Sequence, residues 1–460
     1  MNYDVVIVGA GLSGLAAGLR LAQFDKKVLI AERHYLWGGL NSFYKRAGNL
    51  IDVGLHAVTN WVAPEYRGPR LPLQRICRQL RIRMDELDLV PQSQSSIRFG
   101  DVELPMTNRF ADLADGVAQL FPDDIDGFIA LSEATREYPP AFESGPFVST
   151  REMLARYLKE PLLADMLMCP LFFYGNPRPK DMDWREFIIL FNSIYREGFC
   201  RPRGGMRPLL RQLVDRFQEA GGTLQPRCAV GEIRRNGVGL EVELEGKGTV
   251  TTRHVLSSAG RDETLRLLGR PSPSPTKAEP PRLGFVEVAW VLDRPLSSFG
   301  HDDCITFFNR GTKFDWSIPD TDVDVRSGVL CAPSNYPGVK EPRSPMLRAT
   351  HLTPPSRWFG IDRDTYLERK AAMMAASHAE AEHWIGSFGS HVTFADAFTP
   401  ATVHRFTGHD GGAIYGAPNK ERSAETGVDD VFLIGTDHGL IGIVGAMLSG
   451  VSVANQKVLS

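Results

Sequence analysis

Residues 3–32 read YDVVIVGAGLSGLAAGLRLAQFDKKVLIAE, a strand, a turn, a helix and a second strand in one continuous unit. Val5, Val6, Ile7 and Val8 form a β-branched run, and Gly9, Gly11 and Gly14 follow with G-x-G-x-x-G spacing. The first glycine permits a tight turn, the second lets the backbone approach a pyrophosphate, and the third lets the helix pack on its strand. The helix, from about Ser13 to Gln23, directs its dipole and its free N–H groups, those of Leu12 and Ser13 among them, at that phosphate. A second apolar run, Val28 to Ala31, ends at Glu32, whose carboxylate stands where a ribose diol is hydrogen-bonded. The spacing, the flanking strand and helix and the acid together specify an α/β dinucleotide clamp.

The next stretch, 34–60, is HYLWGGLNSFYKRAGNLIDVGLHAVTN, with a glycine pair at Gly38 and Gly39 and an Asp52-Val53-Gly54 turn. It resembles the FAD-binding N-terminus of the flavin amine oxidase and phytoene desaturase superfamily. The resemblance implies a Rossmann-type FAD domain in which Glu32, Arg33, Gly38, Gly39, Leu40 and Asn41 serve the AMP half. It also implies that the segment after the Asp-x-Gly turn, Leu55 and His56, runs under the flavin ring. The family usually carries Arg where this chain has Leu40, so that charged contact is either missing or supplied by Lys45 or Arg46.

At 460 residues the chain is expected to form two or three structural units. A 43% hydrophobic and 23% charged composition is that of a globular enzyme. The net charge of −3, without a basic tract interleaved with aromatics, implies no nucleic-acid partner. Cys77, Cys169, Cys200, Cys228, Cys304 and Cys331 are scattered with no C-x-x-C pair, which implies neither a metal site nor a disulfide framework and points to reducing cytosol. The apolar N-terminus lacks the basic flank of a signal peptide, and no segment reaches the ~20 apolar residues of a membrane span. The expected location is cytoplasmic, with peripheral membrane association as the one alternative.

Along the chain, six arginines gather between Arg67 and Arg83 (Arg67, Arg70, Arg75, Arg78, Arg81, Arg83), readable as a solvated helix face or as a face for an anionic membrane. Residues 96–105, SIRFGDVELP, read as a hairpin about Gly100-Asp101. Phe110 to Tyr138 has helical spacing broken at Pro122. REMLARYLKEPLLADMLMCPLFFYGNP and WREFIILFNSIYREGF then supply large apolar residues for a helix bundle, some of them lining a greasy cavity. From Arg201 the sequence returns to nucleotide-domain character: a helix to Ala220, a Gly221-Gly222 stop, a strand through Val230, then an antiparallel pair over 240–244 and 249–255. By resemblance, Val230 binds adenine through its backbone and Ala259-Gly260 pack near the pyrophosphate. Pro271 to Pro281 reads as a stiff extended exit. Strand-like runs at 284–291, 305–308 and 329–332 imply an antiparallel substrate sheet, and a long helix is expected over 364–388.

Residues 398–455 carry the second motif block: Thr399-Pro400, Gly411-Gly412-x-x-Tyr415-Gly416, the run 431–434 ending in Gly435-x-Asp437, and Gly442-x-x-Gly445-x-x-x-Ser449-Gly450. It resembles the C-terminal region of phytoene desaturases, carotene isomerases and retinol saturases. The resemblance implies that Asp437 meets ribityl or phosphate-side hydroxyls, and that a helix starting near Ile443 and Val444 aims its N-terminus at the flavin edge where charge gathers on reduction. No cysteine lies in this block, so a thioether-linked flavin is not expected and FAD should be held non-covalently. With no second G-x-G-x-x-G, electrons must pass to oxygen, a quinone or a transient nicotinamide.

The resulting expectation is a discontinuous FAD domain (1–62, 200–270 and 400–460), an inserted α+β substrate domain (63–110 and 271–399) and a helical subdomain (111–199). The expected activity is FAD-dependent redox chemistry or isomerisation on a long apolar isoprenoid such as a carotenoid, a carotenoid precursor or a squalene derivative. Amine oxidation is the alternative within the class. A flavin-free binder of prenylated proteins, of the GDP dissociation inhibitor kind, is the alternative outside it. His56, Tyr415 and His438 are the candidates beside the flavin, and none of them is assigned as a catalytic base.

Overall fold

A computed structural model describes residues 2–54, 56–139, 145–237, 239–271, 281–339, 344–439 and 441–460. Leu55 and residues 272–280, most of the proline-rich exit, lie outside the described residues.

Two seven-stranded sheets organise the chain. The first has Asn2–Val8 at its centre, parallel to Val28–Ala31 on one side and to Gly248–Ser257 on the other. Thr223–Gln225 and Val431–Leu433 extend it in parallel, and Val230–Asn236 with Gly239–Leu244 adds an antiparallel wing. Both faces are covered, which is why the central strand is an unbroken apolar run. Val5 and Ile7 face the helices Leu12–Ala22, Met206–Glu219 and Gly442–Val453, whereas Val6 and Val8 face the wing through Ile233, Leu240 and Val242. The strand expected to run through Val230 is two strands. It stops at Gln225, where Pro226 has no N–H to give the ladder, and resumes at Val230 with antiparallel pairing.

The second sheet runs in the order Val392–Phe398, Gly284–Leu292, Met346–Thr353, Asp324–Cys331, Ile305–Asn309, Ser95–Phe99, Val102–Met106. Every pairing is antiparallel except that of Ile305–Asn309 with Ser95–Phe99. One face packs on the long helix Arg363–Ile385 through Val286, Val288, Trp290, Leu347 and Ala349. The opposite face, with Phe285, Ile305, Phe307, Val329 and Leu352, packs on the helices Phe110–Leu120, Ile125–Ala134, Pro161–Gly175 and Trp184–Phe191. The residues assigned from sequence to 63–110 divide between the two bodies. Ser95–Met106 enters the second sheet, but Leu73, Ile76, Cys77, Leu80, Ile82 and Leu87 join the nucleotide core beside the helix Gly442–Val453.

Candidate active site

The glycine turn is closed on two sides and open on the third. A Cβ on Gly14 would lie 2.1 Å from the Gly9 carbonyl oxygen, and Gly9, at φ 93°, faces the Ser258 hydroxyl, itself bonded to the Val8 carbonyl. A Cβ on Gly11 would meet nothing within 4 Å. The first and third glycines thus serve the protein's own packing, while the middle one borders free space. The helix Leu12–Ala22 starts at Gly11 with no side-chain cap, and Gly442–Val453 starts at Ile441 equally uncapped, with no acid in its first turn. The two helices touch where a Cβ on Gly450 would come within 2.1 Å of the Ser13 carbonyl oxygen, and Gly435 lies against the Ser13 hydroxyl. Uncapped first turns leave N–H groups for an external anion.

The glycine pair completes this cradle. Gly38 donates to the Ala10 carbonyl at 2.8 Å and pairs with Gly11, and Gly39 lies against the Gly11 Cα, so Leu40 and Asn41 follow in the same short turn. The Glu32 carboxylate accepts from the Ala10 N–H and the His34 N–H, both at 2.7 Å. Val230 sits at a bulge just after the segment in which Cys228 donates to the Glu32 carbonyl. Arg33 is exposed and spends its guanidinium on the carbonyls of His404 and Arg405. Arg46, one substitute for the arginine that Leu40 displaces, is held by Asp396 at 2.8 Å, and Lys45 is exposed.

In the second motif block Asp437 is buried. One carboxylate oxygen accepts from the Arg261 N–H and the other from the Ala417 N–H, each at 2.7 Å. Burial would raise its pKa, but the Lys420 charge and these two donors hold it below the usual carboxylate range. A Cβ on Gly416 would stand 2.0 Å from this carboxylate, so Asp437 ties the Gly260 and Gly416 turns together next to Ala259. Ile443 and Val444 are buried in the first turn of their helix. His438 points into the protein, where Nδ1 meets the Ser449 hydroxyl at 3.0 Å. Tyr415 donates to the Phe173 carbonyl and lies edge-on to Phe285.

Where the segment after the Asp52 turn meets the second sheet lies a layer of buried charge whose Arg201, Glu287 and Arg348 motif reading does not reach. Arg201, 2% exposed, pairs with Asp52 at 2.9 Å and donates to the His56 carbonyl at 3.2 Å. Arg348, 1% exposed, pairs with Glu287 and donates to the Val53 carbonyl. The other Glu287 oxygen accepts from the Thr350 hydroxyl at 3.0 Å and lies 3.3 Å from His56 Nε2. Because Thr350 donates to Glu287, its oxygen is free to accept from His56 Nε2–H at 3.2 Å, which assigns the tautomer and leaves Nδ1 as a buried lone pair without a partner among the described residues. Burial pushes the His56 pKa down against the pull of Glu287, keeping the ring neutral. Burial alone would raise the Glu287 pKa, but the Arg348 charge and His56 overcome it and hold the carboxyl low. A glutamate inside the apolar run GFVEVAWVL is the sequence signal for the part of this layer that the motifs miss.

Beyond that layer is an aromatic wall. Tyr174 stacks on Phe199 at 4.8 Å and reaches Phe307, while Phe173, Trp316, Phe285 and Tyr415 follow at centroid distances of 4.8, 5.8 and 5.1 Å. Among the described residues the buried Tyr336 hydroxyl has no hydrogen-bond partner, and burial pushes the Cys331 thiol up to about 12. Among the described residues no group of His, Cys, Asp and Glu could hold a metal ion, and no helix is long and apolar enough to cross a membrane.

These residues fit a flavin dinucleotide: an open glycine at the uncapped start of one helix, a second uncapped helix packed against the first, an acid at the end of the second strand, and an imidazole carrying an orphan nitrogen after the Asp52 turn. The chain is 20% identical to a chloroplastic prolycopene isomerase of Arabidopsis thaliana over 99% of its length and 82% of the relative's. It is 24% identical to an all-trans-retinol 13,14-reductase of Macaca fascicularis over 100% and 86%. In fold it is similar to an oxidoreductase from Methanosarcina mazei, with a TM-score of 0.69, 17% identity and coverage of 99% and 100%. The model of the flavin-containing amine oxidoreductases matches residues 12–456, from just after Gly11 through the glycine pair, the charged layer and the C-terminal motif block, and the chain belongs to that family, with FAD as its cofactor.

Proposed function

We propose that this FAD-dependent oxidoreductase acts on a long apolar isoprenoid, a carotenoid, carotenoid precursor or squalene derivative, by desaturation, saturation or isomerisation. The observation that carries the reading is the aromatic wall, together with the neutralised carboxylates beside it. Asp52 is paired with Arg201 and Glu287 with Arg348, so neither offers an unbalanced negative charge to an alkylammonium substrate. A substrate without polar handles can be positioned only by burying its length, at ~25 cal/mol per Å² of apolar surface. Two of the relatives named above are an isomerase and a reductase whose names specify prolycopene and retinol. Membership in a flavin-containing family sets aside the flavin-free prenyl-binding alternative.

In this reading Gly9, Gly11, Leu12, Ser13, Gly14, Glu32, Gly38 and Gly39 hold the ADP half of the cofactor, with Val230 at the adenine. His56, Gly435, Asp437, Ile443 and Val444 border the flavin half. Bound FAD supplies the capacity to take up or return a hydride equivalent. The chain's own share is to exclude water with the aromatic wall and to fix His56 through Glu287 and Thr350, so that Nδ1 is the nitrogen able to hold a proton. The returning electrons pass to oxygen, a quinone or a nicotinamide outside the chain.

Anaerobic mixing of the oxidised enzyme with carotenoid precursors, squalene derivatives and primary amines, following flavin bleaching and product mass, tests this. Bleaching by a polyprenyl substrate, or its isomerisation without mass change when the flavin is reduced, supports the reading. Bleaching by amines alone transfers the enzyme to the amine-oxidising branch.

A further inference from the structure

Far from the aromatic wall, a cleft of about 570 Å³ is lined by Arg20, Arg70, Arg75, Arg78 and Gln79. Arg20 lies in the last turn of the helix Leu12–Ala22, eight residues and therefore about 12 Å along the axis from the end that faces the glycine turn. The cleft is thus separate from the dinucleotide cradle. Arg75 and Arg78 project from the helix Pro72–Gln79, whose Leu73, Ile76 and Cys77 are buried in the nucleotide core.

Among the described residues none of these four guanidinium groups has a carboxylate at ion-pairing distance. Their neighbours do: Arg83 pairs with Asp85, and Arg216 pairs with Glu86 at 2.8 Å. Arg20 is instead held by the Asn455 side chain at 2.8 Å and the Gln79 carbonyl at 3.0 Å, and Arg75 by the Arg70 carbonyl at 2.7 Å. Neutral oxygens orient these groups without cancelling their charge. Arg70, Arg75 and Arg78 are exposed, as are Arg67 and Arg81 nearby. Beside the cleft, Phe24 is 44% exposed with the Arg20 guanidinium 4.4 Å from its ring centre. Unbalanced guanidinium forks around a concavity match the planar geometry of phosphate oxygens. An exposed aromatic ring next to a basic cluster is the combination that sits at a lipid headgroup boundary.

We propose that this arginine cleft binds the phosphate of an anionic phospholipid headgroup and so docks the protein on a membrane surface, with Phe24 at the acyl boundary. The chemistry recognised is a phosphate monoanion or dianion, and the occupant to which the surface is assigned is the lipid. This assignment uses no property of the substrate, so its failure and that of the isoprenoid reading are seen in separate experiments.

The test is sedimentation of the FAD-loaded protein with phosphatidylcholine vesicles, with and without about one third phosphatidylglycerol, at low and high salt. Wild type should pellet only with the anionic vesicles, and less so at high salt. The Arg75→Gln/Arg78→Gln variant should partition about thirtyfold more weakly, on the scale of two basic side chains near an anionic surface, with flavin absorbance and melting temperature unchanged. Arg78→Lys, which keeps the charge, should bind within a fewfold of wild type. If the double variant fails to retain FAD, Arg70→Gln in the preceding loop replaces it and should weaken partitioning about fivefold. Equal partitioning of wild type and variants overturns the proposal, as does binding to neutral vesicles alone. So does calorimetric binding of glycerol 3-phosphate that depends on Arg75 and Arg78 while vesicles are ignored, which would mark the cleft as a site for a soluble phosphate.

Discussion

The cradle around Gly9, Gly11 and Gly14 and the layer around Glu287 and Arg348 are built on opposite principles. The cradle brings backbone against backbone by removing side chains: Gly14 and Gly450 each admit a carbonyl oxygen where a Cβ would stand. The layer does the reverse, burying long charged side chains and balancing each against its opposite. A missing atom costs little where it was never wanted, whereas a missing charge leaves its partner stranded. Substitutions should therefore act locally and sterically in the first region, and through uncompensated charge in the second.

The sharpest way to break this contrast is Arg348→Met. Glu287 would remain buried without its counter-charge, and unfolding by denaturant should show a loss of about 3–5 kcal/mol. Arg348→Met combined with Glu287→Leu should recover most of that loss, since volume is kept and no lone charge remains. A double variant less stable than the single one would mean that the layer is held by packing rather than by charge balance.

Acidification probes the polar groups of the cradle side. Burial lowers the His438 pKa from the usual 6.5 of a histidine to about 4. A folded-state pKa below the unfolded one means that the folded form binds fewer protons at intermediate pH. The stabilisation is complete above about 6.5 and is lost as pH falls towards 4, amounting to roughly 3 kcal/mol over that window. His56 adds to the loss in the same direction. In His438→Asn the decline between pH 6.5 and 4 should flatten, as read from melting temperatures across that range.

Asp437→Ala removes the acceptor of two backbone N–H groups, and should cost about 1.5–3 kcal/mol along with one to two decades in FAD affinity. Its pKa is depressed, so its contribution persists above about pH 4 and fades only below that. Full FAD occupancy without turnover would place Asp437 in the chemistry instead. The smallest stability effect separates the glycines from each other. Gly14→Ala should destabilise by about 1–3 kcal/mol through overpacking, whereas Gly11→Ala should leave the apoprotein within about 0.5 kcal/mol of wild type and still lose flavin absorbance. Equal effects at the two positions would mean that the open side of the turn does not face the cofactor.

The same contrast explains what could be read in the chain. Glycine spacing after a β-branched run is a local pattern, and the turn, both strands and the first helix follow from it. The C-terminal block is legible for the same reason. The strand Met346–Thr353, MLRATHLT, is not: Arg348, Thr350 and His351 make it look like a polar loop, because the residues that neutralise them lie on other elements. His351 is satisfied by the Ser327 carbonyl and the Ser377 hydroxyl, on a strand and a helix respectively. The strand Val392–Phe398 is hidden likewise, with Asp396 buried against Arg46 and Lys370. Pairing with residues on other elements, from 24 to 350 positions away, leaves no periodic trace in any one of them. Conversely, Pro161–Gly175 is apolar on every side but for Asp165, which Arg151 neutralises, and its length identifies it where periodicity cannot.

The contact between Ser13 and Gly450 has a consequence for biosynthesis. The helix that opens the nucleotide clamp is made first, and the one that closes it emerges about 430 residues later. At the usual pace of a ribosome, that interval is roughly 20–90 s. Throughout it, the apolar flank of the first helix has no permanent neighbour on that side, and the edge of Gly248–Ser257 awaits Val431–Leu433. The nascent chain therefore presents a sticky, unfinished surface for most of its synthesis, and capture of FAD must be among the last events to occur. Slowing translation anywhere between the two helices should increase the demand for chaperones, and slowing it after Ser257 should do so further, because a second unpaired edge is then exposed.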